Sequence, residues 1–392
     1  MLGTEAKYLL TLVAISSLIA IPGSAAPNYT NGFPADPGFF PIGVWLQNPT
    51  NAPAFQALGI NTYVGLSQGP SEDQLAMLAK SNMFVIAAQD DAAAVKFRNG
   101  SVLKGWMQQD EPDNAQPDGK GGYGPCIPAS KVAERSRELK LHDSSRPTLV
   151  NFGEGVAYSS WIGRGACTGD MAYYSAAIKN ADIVSFDIYP IANNQEAIQG
   201  KLEYVGLGVE NLMKSISPDQ IVWADIETTK IGTSHLVTPE QLRSEVWMAL
   251  IHGARGIVYF VHEWTDGFRE DGIFRHPEIA AEVTTINATI KALAPILNSP
   301  NAQDRLSVTS AAMPIFGSPV ISNMVKIRGN TLYIFAVSMQ SSPAQAAFLL
   351  PDVKAATALV AGENRSVSIA NGRFTDSFAG YGVHRYEIKL GN

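Results

Sequence analysis

Apolar and polar positions along the chain alternate between two periods. Short runs rich in β-branched and aromatic residues occupy 41–47, 62–66, 84–88 and 103–108. Four more follow at 148–152, 183–188, 221–226 and 256–261. Between them lie polar loops and stretches whose apolar residues recur at three- and four-residue spacing. Residues 130–141, for example, carry apolar side chains on one face and Lys, Arg and Glu on the other. Ser71, with Gln74 three residues on, predicts a capped helix start, and Thr238-Pro239-Glu240 predicts another. Strands alternating with helices imply a parallel sheet covered on both faces. Eight such units over about 260 residues predict an α/β fold, the (β/α)8 TIM barrel. A doubly wound open sheet would carry a Gly-rich phosphate turn after its first strand. That position reads Gln47-Asn48-Pro49-Thr50.

The pattern changes near Asn298-Ser299-Pro300. Helical periodicity stops, and short alternating runs take over. Gly329-Asn330 separates 325–328 from 332–337, and Asn371-Gly372 separates 367–369 from 374–377, both as hairpins. A last strand at 383–388 completes a small antiparallel β-sandwich domain. The expected division is a signal peptide at 1–26, a catalytic barrel at 27–298 and a sandwich at 299–392.

The signal expectation rests on Lys7, the apolar stretch 8–21, the Pro22-Gly23 break and the small residues Ser24-Ala25-Ala26. The stretch is short for a membrane span of about 20 residues. A secreted protein, extracellular or periplasmic, is expected, with no membrane association after cleavage. Export permits a disulfide between Cys126 and Cys167, the chain's two cysteines. Glycosylation sequons stand at Asn28, Asn99, Asn287 and Asn364. Lys and Arg total 29 against 36 Asp and Glu, a net charge of −7, and no basic run occurs, so nucleic acid is not an expected partner. The six His lack ligand spacing and His-Glu-x-x-His is absent, so neither a metal site nor a cofactor is expected.

In this barrel the working residues follow the C-terminal ends of the strands. Those positions hold Trp45, Gln47, Gln68, Gln89, Asp90, Asp110, Glu111, Glu154, Asp187, Tyr189, Glu227, His262, Glu263 and Trp264. A rim of carboxylates, amides and aromatics suits a neutral polyhydroxylated ligand, and carbohydrate is the expected substrate. Glycoside hydrolysis needs two carboxyl groups facing one bond. Glu111 after the fourth strand and Glu227 after the seventh fit that need, with Glu154 and Glu263 in reserve. Bland readings stand beside these: loop acids for both glutamates, a strand-ending turn for Asp187 and Tyr189, and core positions for Trp45, Trp106 and Trp264.

Trp106-Met107-Gln108-Gln109-Asp110-Glu111-Pro112 resembles the fourth-strand acid/base motif of clan A glycoside hydrolases, usually Asn-Glu-Pro. Ile221 to Glu227 resembles their seventh-strand nucleophile segment, and Asp187-Ile188-Tyr189-Pro190 resembles the turn whose Tyr bonds that nucleophile. Trp264 resembles the Trp flooring their sugar subsite, and Tyr381 to Tyr386 resembles part of an accessory β-domain. The resemblance implies a retaining glycoside hydrolase with Glu111 as acid/base and Glu227 as nucleophile. Tyr189 would orient Glu227, and Trp45, Gln47, Asp110, Asp187, His262, Glu263 and Trp264 would hold the sugar. One position departs from the motif: ionised Asp110 can only accept a hydrogen bond where the usual Asn donates. Two other readings compete, a barrel that binds carbohydrate without cleaving it and a serine esterase. The latter rests on Gly65-Leu66-Ser67-Gln68-Gly69, which fits a nucleophile elbow, although Pro70-Ser71 delays the helix.

Overall fold

The structure, a computed structural model, describes residues 29–391 apart from 90, 98, 161–168 and 315–316. The expected signal peptide, the Asn28 sequon, Asp90 and Cys167 therefore lie outside the described residues.

Eight parallel strands close into a barrel. They are β1 (Ile42–Trp45), β2 (Thr62–Val64), β3 (Phe84–Ala88), β4 (Leu103–Met107), β5 (Thr148–Phe152) and β6 (Ile183–Phe186), then β7 (Ile221–Val222) with β8 (Ala224–Glu227), and β9 (Ile257–Phe260). β7 pairs with β6 and β8 pairs with β9. The two are halves of the seventh strand, broken at Trp223, and their separate pairings close the sheet. Around it run α1 (Ala52–Ala57), α2 (Glu72–Lys80), α3 (Asp91–Lys96), α4 (Ala129–His142), α5 (Met171–Ala177), α6 (Glu203–Met213), α7 (Pro239–His252) and α8 (Pro277–Leu297).

Strand periodicity sorts the side chains. Trp45, Val64, Ile86, Met107, Leu149, Ile183, Trp223 and Val258, one from each strand, pack together inside the barrel. Their neighbours in sequence, such as Val44, Tyr63, Trp106, Val150 and Ile257, pack outward under the helices. Two helix starts carry the predicted capping boxes, Ser71 with Gln74 at α2 and Thr238 with Gln241 at α7.

The C-terminal region holds β10 (Ser307–Ser310), β11 (Ile321–Arg328), β12 (Thr331–Ser338), β13 (Ala344–Leu349), β14 (Ala355–Val360), β15 (Arg365–Ala370), β16 (Arg373–Phe378) and β17 (Val383–Lys389). They form one antiparallel sheet in the order β10-β13-β16-β15-β14-β17-β12-β11. β15 and β16 share a single paired position, Ala370 with Arg373, so the sheet can fold there. Phe348 and Phe374, stacked at 4.5 Å, both meet Tyr386 of β17, a strand that is not their sheet neighbour. These rings mark the core between two layers. The domain docks on the barrel through α7, where the Trp247 and Phe335 rings stack at 5.4 Å.

Among the described residues no helix is long and apolar enough to cross a membrane. Asn287 is buried, its amide oxygen accepting from the Tyr259 hydroxyl and its amide nitrogen donating to Leu58 O, so this sequon has no room for a glycan in the folded chain.

Candidate active site

The barrel mouth is built around carboxylates from the ends of four adjacent strands. Asp110 and Glu111 follow β4, Glu154 follows β5, Asp187 follows β6, and Asp225 stands in β8. Asn151, the residue before Phe152 at the end of β5, ties the ring together. Its Nδ2 donates to Asp110 Oδ1 at 3.0 Å and to Asp187 Oδ2 at 2.8 Å. Its Oδ1 accepts from the Ser185 hydroxyl at 2.7 Å, which fixes the amide's orientation. The acceptor-only Asp110 thus has its donor in Asn151, two strand ends joined by one side chain.

Glu111 takes a left-handed backbone conformation, φ 42°, rare for a residue with a Cβ. Its N–H donates to Asn151 O, its Oε2 accepts from Asn114 Nδ2 at 3.0 Å, and its carbonyl accepts from Gln116. Three contacts hold this strained turn with the carboxylate half-buried at the mouth.

Asp187 and Asp225 form the floor, 8% and 4% exposed. Burial, then the charges of Glu111, Asp110 and Asp225, pushes the Asp187 carboxyl well above the usual range. Burial, then Asp110, does the same to Asp225. Asp225 Oδ1 has no hydrogen-bond partner. Burial and the surrounding carboxylates also raise the Tyr189 phenol, which stays protonated.

Glu154 opens a short 3-10 turn directly after β5. Asp113, buried in the loop after β4, holds that turn: it accepts from Gly153 N–H and from the Tyr174 hydroxyl. Asn193 donates to Glu154 Oε1 at 2.9 Å, while Oε2 is buried without a partner. Burial, then the charge of Glu111, pushes the Glu154 carboxyl up to about 7. A carboxylic acid that keeps its proton near neutrality, beside a carboxylate that repels it, is the arrangement in which acid and base roles separate.

Two expected site residues are buried rather than open at the mouth, although the charge of Glu227 still reaches Glu154. Glu227 is fully buried. Its Oε1 accepts from Ile191 N–H at 2.7 Å and its Oε2 from Ala192 N–H at 2.6 Å, both from the loop after β6. The Glu245 carboxyl of α7 packs beside it. No face of Glu227 is open to a sugar carbon, and no hydrogen bond links it to the Tyr189 hydroxyl. Glu263 is also buried, 3.1 Å from Arg275 and 2.5 Å from His276. Burial pushes its carboxyl up, but these two partners outweigh that and hold it below the usual range. It is a latch between the loop after β9 and the turn before α8.

The aromatic positions divide in the same way. Trp45 belongs to the barrel interior and Trp106 packs outward, its indole N–H donating to Asp143. Gln47 is buried, its amide nitrogen donating to the Glu270 carbonyl at 2.6 Å. Trp264 does face solvent, 45% exposed, and its ring stacks on Phe260 at 5.6 Å. Tyr189 lies 5.1 Å beyond Phe260, and Phe268, 62% exposed, lies 5.7 Å from Trp264. His262 sits under this row, its Nε2 2.9 Å from Leu46 O. A carbonyl only accepts, so Nε2 carries the proton, and burial keeps the ring neutral. Asn151, Asp225 and Phe268 escape a search of strand-end positions, because Asn151 and Asp225 lie inside the strand runs. The signal for those two is a polar residue at an inward position of a buried strand; Phe268, in the loop after β9, carries no such signal.

Ser67 is exposed, and among the described residues no His or carboxylate bonds its hydroxyl, so the esterase elbow is not assembled. Cys126 stands in the loop after β4; its expected partner Cys167 lies outside the described residues.

No family model and no curated protein matches the chain. Solved structures do. An α-amylase from Geobacillus thermoleovorans complexed with acarbose aligns with a TM-score of 0.54 at 10% identity, over 90% of this chain and 99% of that one. α-Galactosidase I from Mortierella vinacea aligns at 0.54 and 8% identity, over 91% and 98%. AmyP in complex with maltose aligns at 0.51 and 9%, over 91% and 98%. At these identities the likeness shows the fold: a TIM barrel followed by an antiparallel β-domain.

Proposed function

We propose that this protein is a glycoside hydrolase, with Glu154 as the proton donor and Glu111 as the second carboxylate. The observation that carries this is the pairing of their environments. Glu154 holds a proton up to about 7 because it is buried and because Glu111 beside it is charged. Glu154 would protonate the departing glycosidic oxygen, and Glu111 would capture or stabilise the cation-like sugar carbon. Glu111 raises the Glu154 carboxyl more than Glu227, the other charge acting on it, and the pair would work by double displacement with retention of configuration. Trp264 and Phe268, both exposed, offer faces for sugar rings. The three aligned enzymes are named for glycosidase activity or shown with sugars, which agrees with this reading. We also propose export, with a Cys126–Cys167 disulfide bracing the loops after β4 and β5.

The test is a polysaccharide panel. Wild-type protein should release reducing ends from at least one glycan, and Glu154→Gln should lower kcat by about 100-fold or more. Because the active form is protonated Glu154, kcat should fall as pH rises through about 7. Proton NMR of the first product should show the anomeric configuration of the substrate. Binding without cleavage across the panel, or near-wild-type turnover by Glu154→Gln, would overturn the assignment.

A further inference from the structure

Asp113 is a buried acid that the proposed reaction does not use. It stands two residues after Glu111, in a turn closed by Asn114 N–H donating to Glu111 O at 3.0 Å. Across the mouth, Gly153 N–H donates to both of its oxygens, Oδ1 at 3.0 Å and Oδ2 at 3.2 Å. Gly153 immediately precedes Glu154. One carboxyl group therefore ties the turn that carries Glu111 to the turn that carries Glu154. That carboxyl is held in its own right. The buried Tyr174 of α5 donates its hydroxyl to Oδ2 at 2.9 Å, and its ring packs edge-on against Phe152 at 5.3 Å. Burying a carboxyl group is costly, and these hydrogen bonds offset the cost. Burial still pushes Asp113 up to about 7, against the pull of Gly153 and Tyr174.

We infer that Asp113 is a positioning residue for the proton donor: through Gly153 it fixes where the Glu154 carboxyl stands relative to Glu111. This rests on the assignment of Glu154 and Glu111 as the working pair. A general acid must stand within hydrogen-bond reach of the oxygen it protonates, and a misplacement of about 1 Å can cost about 100-fold in rate. Asn193 meets Glu154 Oε1 from the loop after β6, which orients the carboxyl group but not the backbone that carries it. Asp113 holds that backbone. Among the described residues the charges acting on Glu154 are those of Glu111 and Glu227, not that of Asp113. The part played by Asp113 is therefore one of position, separable from an effect of its charge.

The test follows the Glu154 carboxyl itself, with or without a substrate. In protein labelled with carbon-13 at its glutamate carboxyls, the Glu154 resonance is the one missing from Glu154→Gln. Asp113→Ala releases Gly153 and lets water reach Glu154, so the Glu154 titration midpoint should fall by about 1 pH unit or more. Asp113→Asn keeps an acceptor oxygen for Gly153 N–H and should leave the midpoint near that of the wild type. Tyr174→Phe loosens Asp113 without removing it, and should lower the midpoint by a smaller amount. On a glycan that the wild type cleaves, Asp113→Ala should lower kcat about 100-fold with KM nearly unchanged, and Asp113→Asn should restore most of the loss. An unmoved Glu154 midpoint in Asp113→Ala, or a kcat that stays intact while only the melting temperature falls, overturns the inference. If Asp113→Ala does not fold, an unmoved midpoint in Tyr174→Phe overturns it instead. A wild type that cleaves no glycan sinks the hydrolase reading, and the titration still decides whether Asp113 positions Glu154.

Discussion

Glu227 and Glu245 are the residues whose chemistry differs most from their appearance in the sequence. Both are fully buried, and neither Glu245 oxygen has a donor. Two ionised carboxylates cannot sit together in such a place, so the pair holds a proton. Burial and the backbone N–H groups of Ile191 and Ala192 act on Glu227 in opposite directions, and burial wins, to about 7. Burial, then Glu227, raises Glu245 as well. The sign of the consequence follows. Between the ordinary glutamate range and about 7 the folded chain binds more protons than the unfolded one, so stability falls as pH rises through that window. The melting temperature should drop by a few degrees between pH 5 and pH 8. Glu245→Gln, whose amide can donate to ionised Glu227, should flatten that drop. A melting temperature that rises over the same interval would count against the pair. Glu227→Gln should keep kcat near the wild-type value, which separates it from Glu154→Gln.

At the scale of elements, the strands were legible because parallel barrel strands are buried on both faces and read as continuous apolar runs. The capping boxes at α2 and α7 were legible because their chemistry is local. The site was legible only by strand end. Asp225 and Glu227 have the same parity on β8, and nothing local to the strand separates them. What separates them is the loop after β6, whose N–H groups cover Glu227 and leave Asp225 on the floor. Glu263 and Trp264 are adjacent in sequence, yet one is a buried latch and the other an exposed platform. The partners of Glu263 come from residues 275 and 276, beyond the reach of any short motif. Glu263→Ala should therefore lower thermal stability, by roughly 1–3 kcal/mol, because the mostly buried His276 loses its partner while the part-exposed Arg275 can turn to water. Trp264→Ala should leave stability nearly unchanged and raise KM for whichever glycan is cleaved. Thermal melts and initial-rate kinetics on the two variants distinguish latch from platform.

The whole molecule depends on α7 facing two ways. A helix on the outside of a barrel normally shows one polar face. In α7 every residue from Ser244 to Ile251 is buried, because the β-domain covers the side that would meet water. Trp247 stacks on Phe335, the Arg385 guanidinium lies 5.4 Å from the Trp247 ring centre, and Ser244 donates to the Tyr381 carbonyl. On the opposite side the same helix presents Glu245 to Glu227 beneath the barrel mouth. The Tyr381 hydroxyl extends the seam to α6 by donating to Glu203 at 2.6 Å. Barrel and β-domain should then unfold together, in one calorimetric transition. Trp247→Ala removes the largest apolar contact of the seam and should cost roughly 3–5 kcal/mol. Because the β-domain keeps its own core of stacked rings, the variant should melt in two steps, with the seam no longer coupling them. A single transition merely shifted to lower temperature would mean that the β-domain has no stability apart from the barrel.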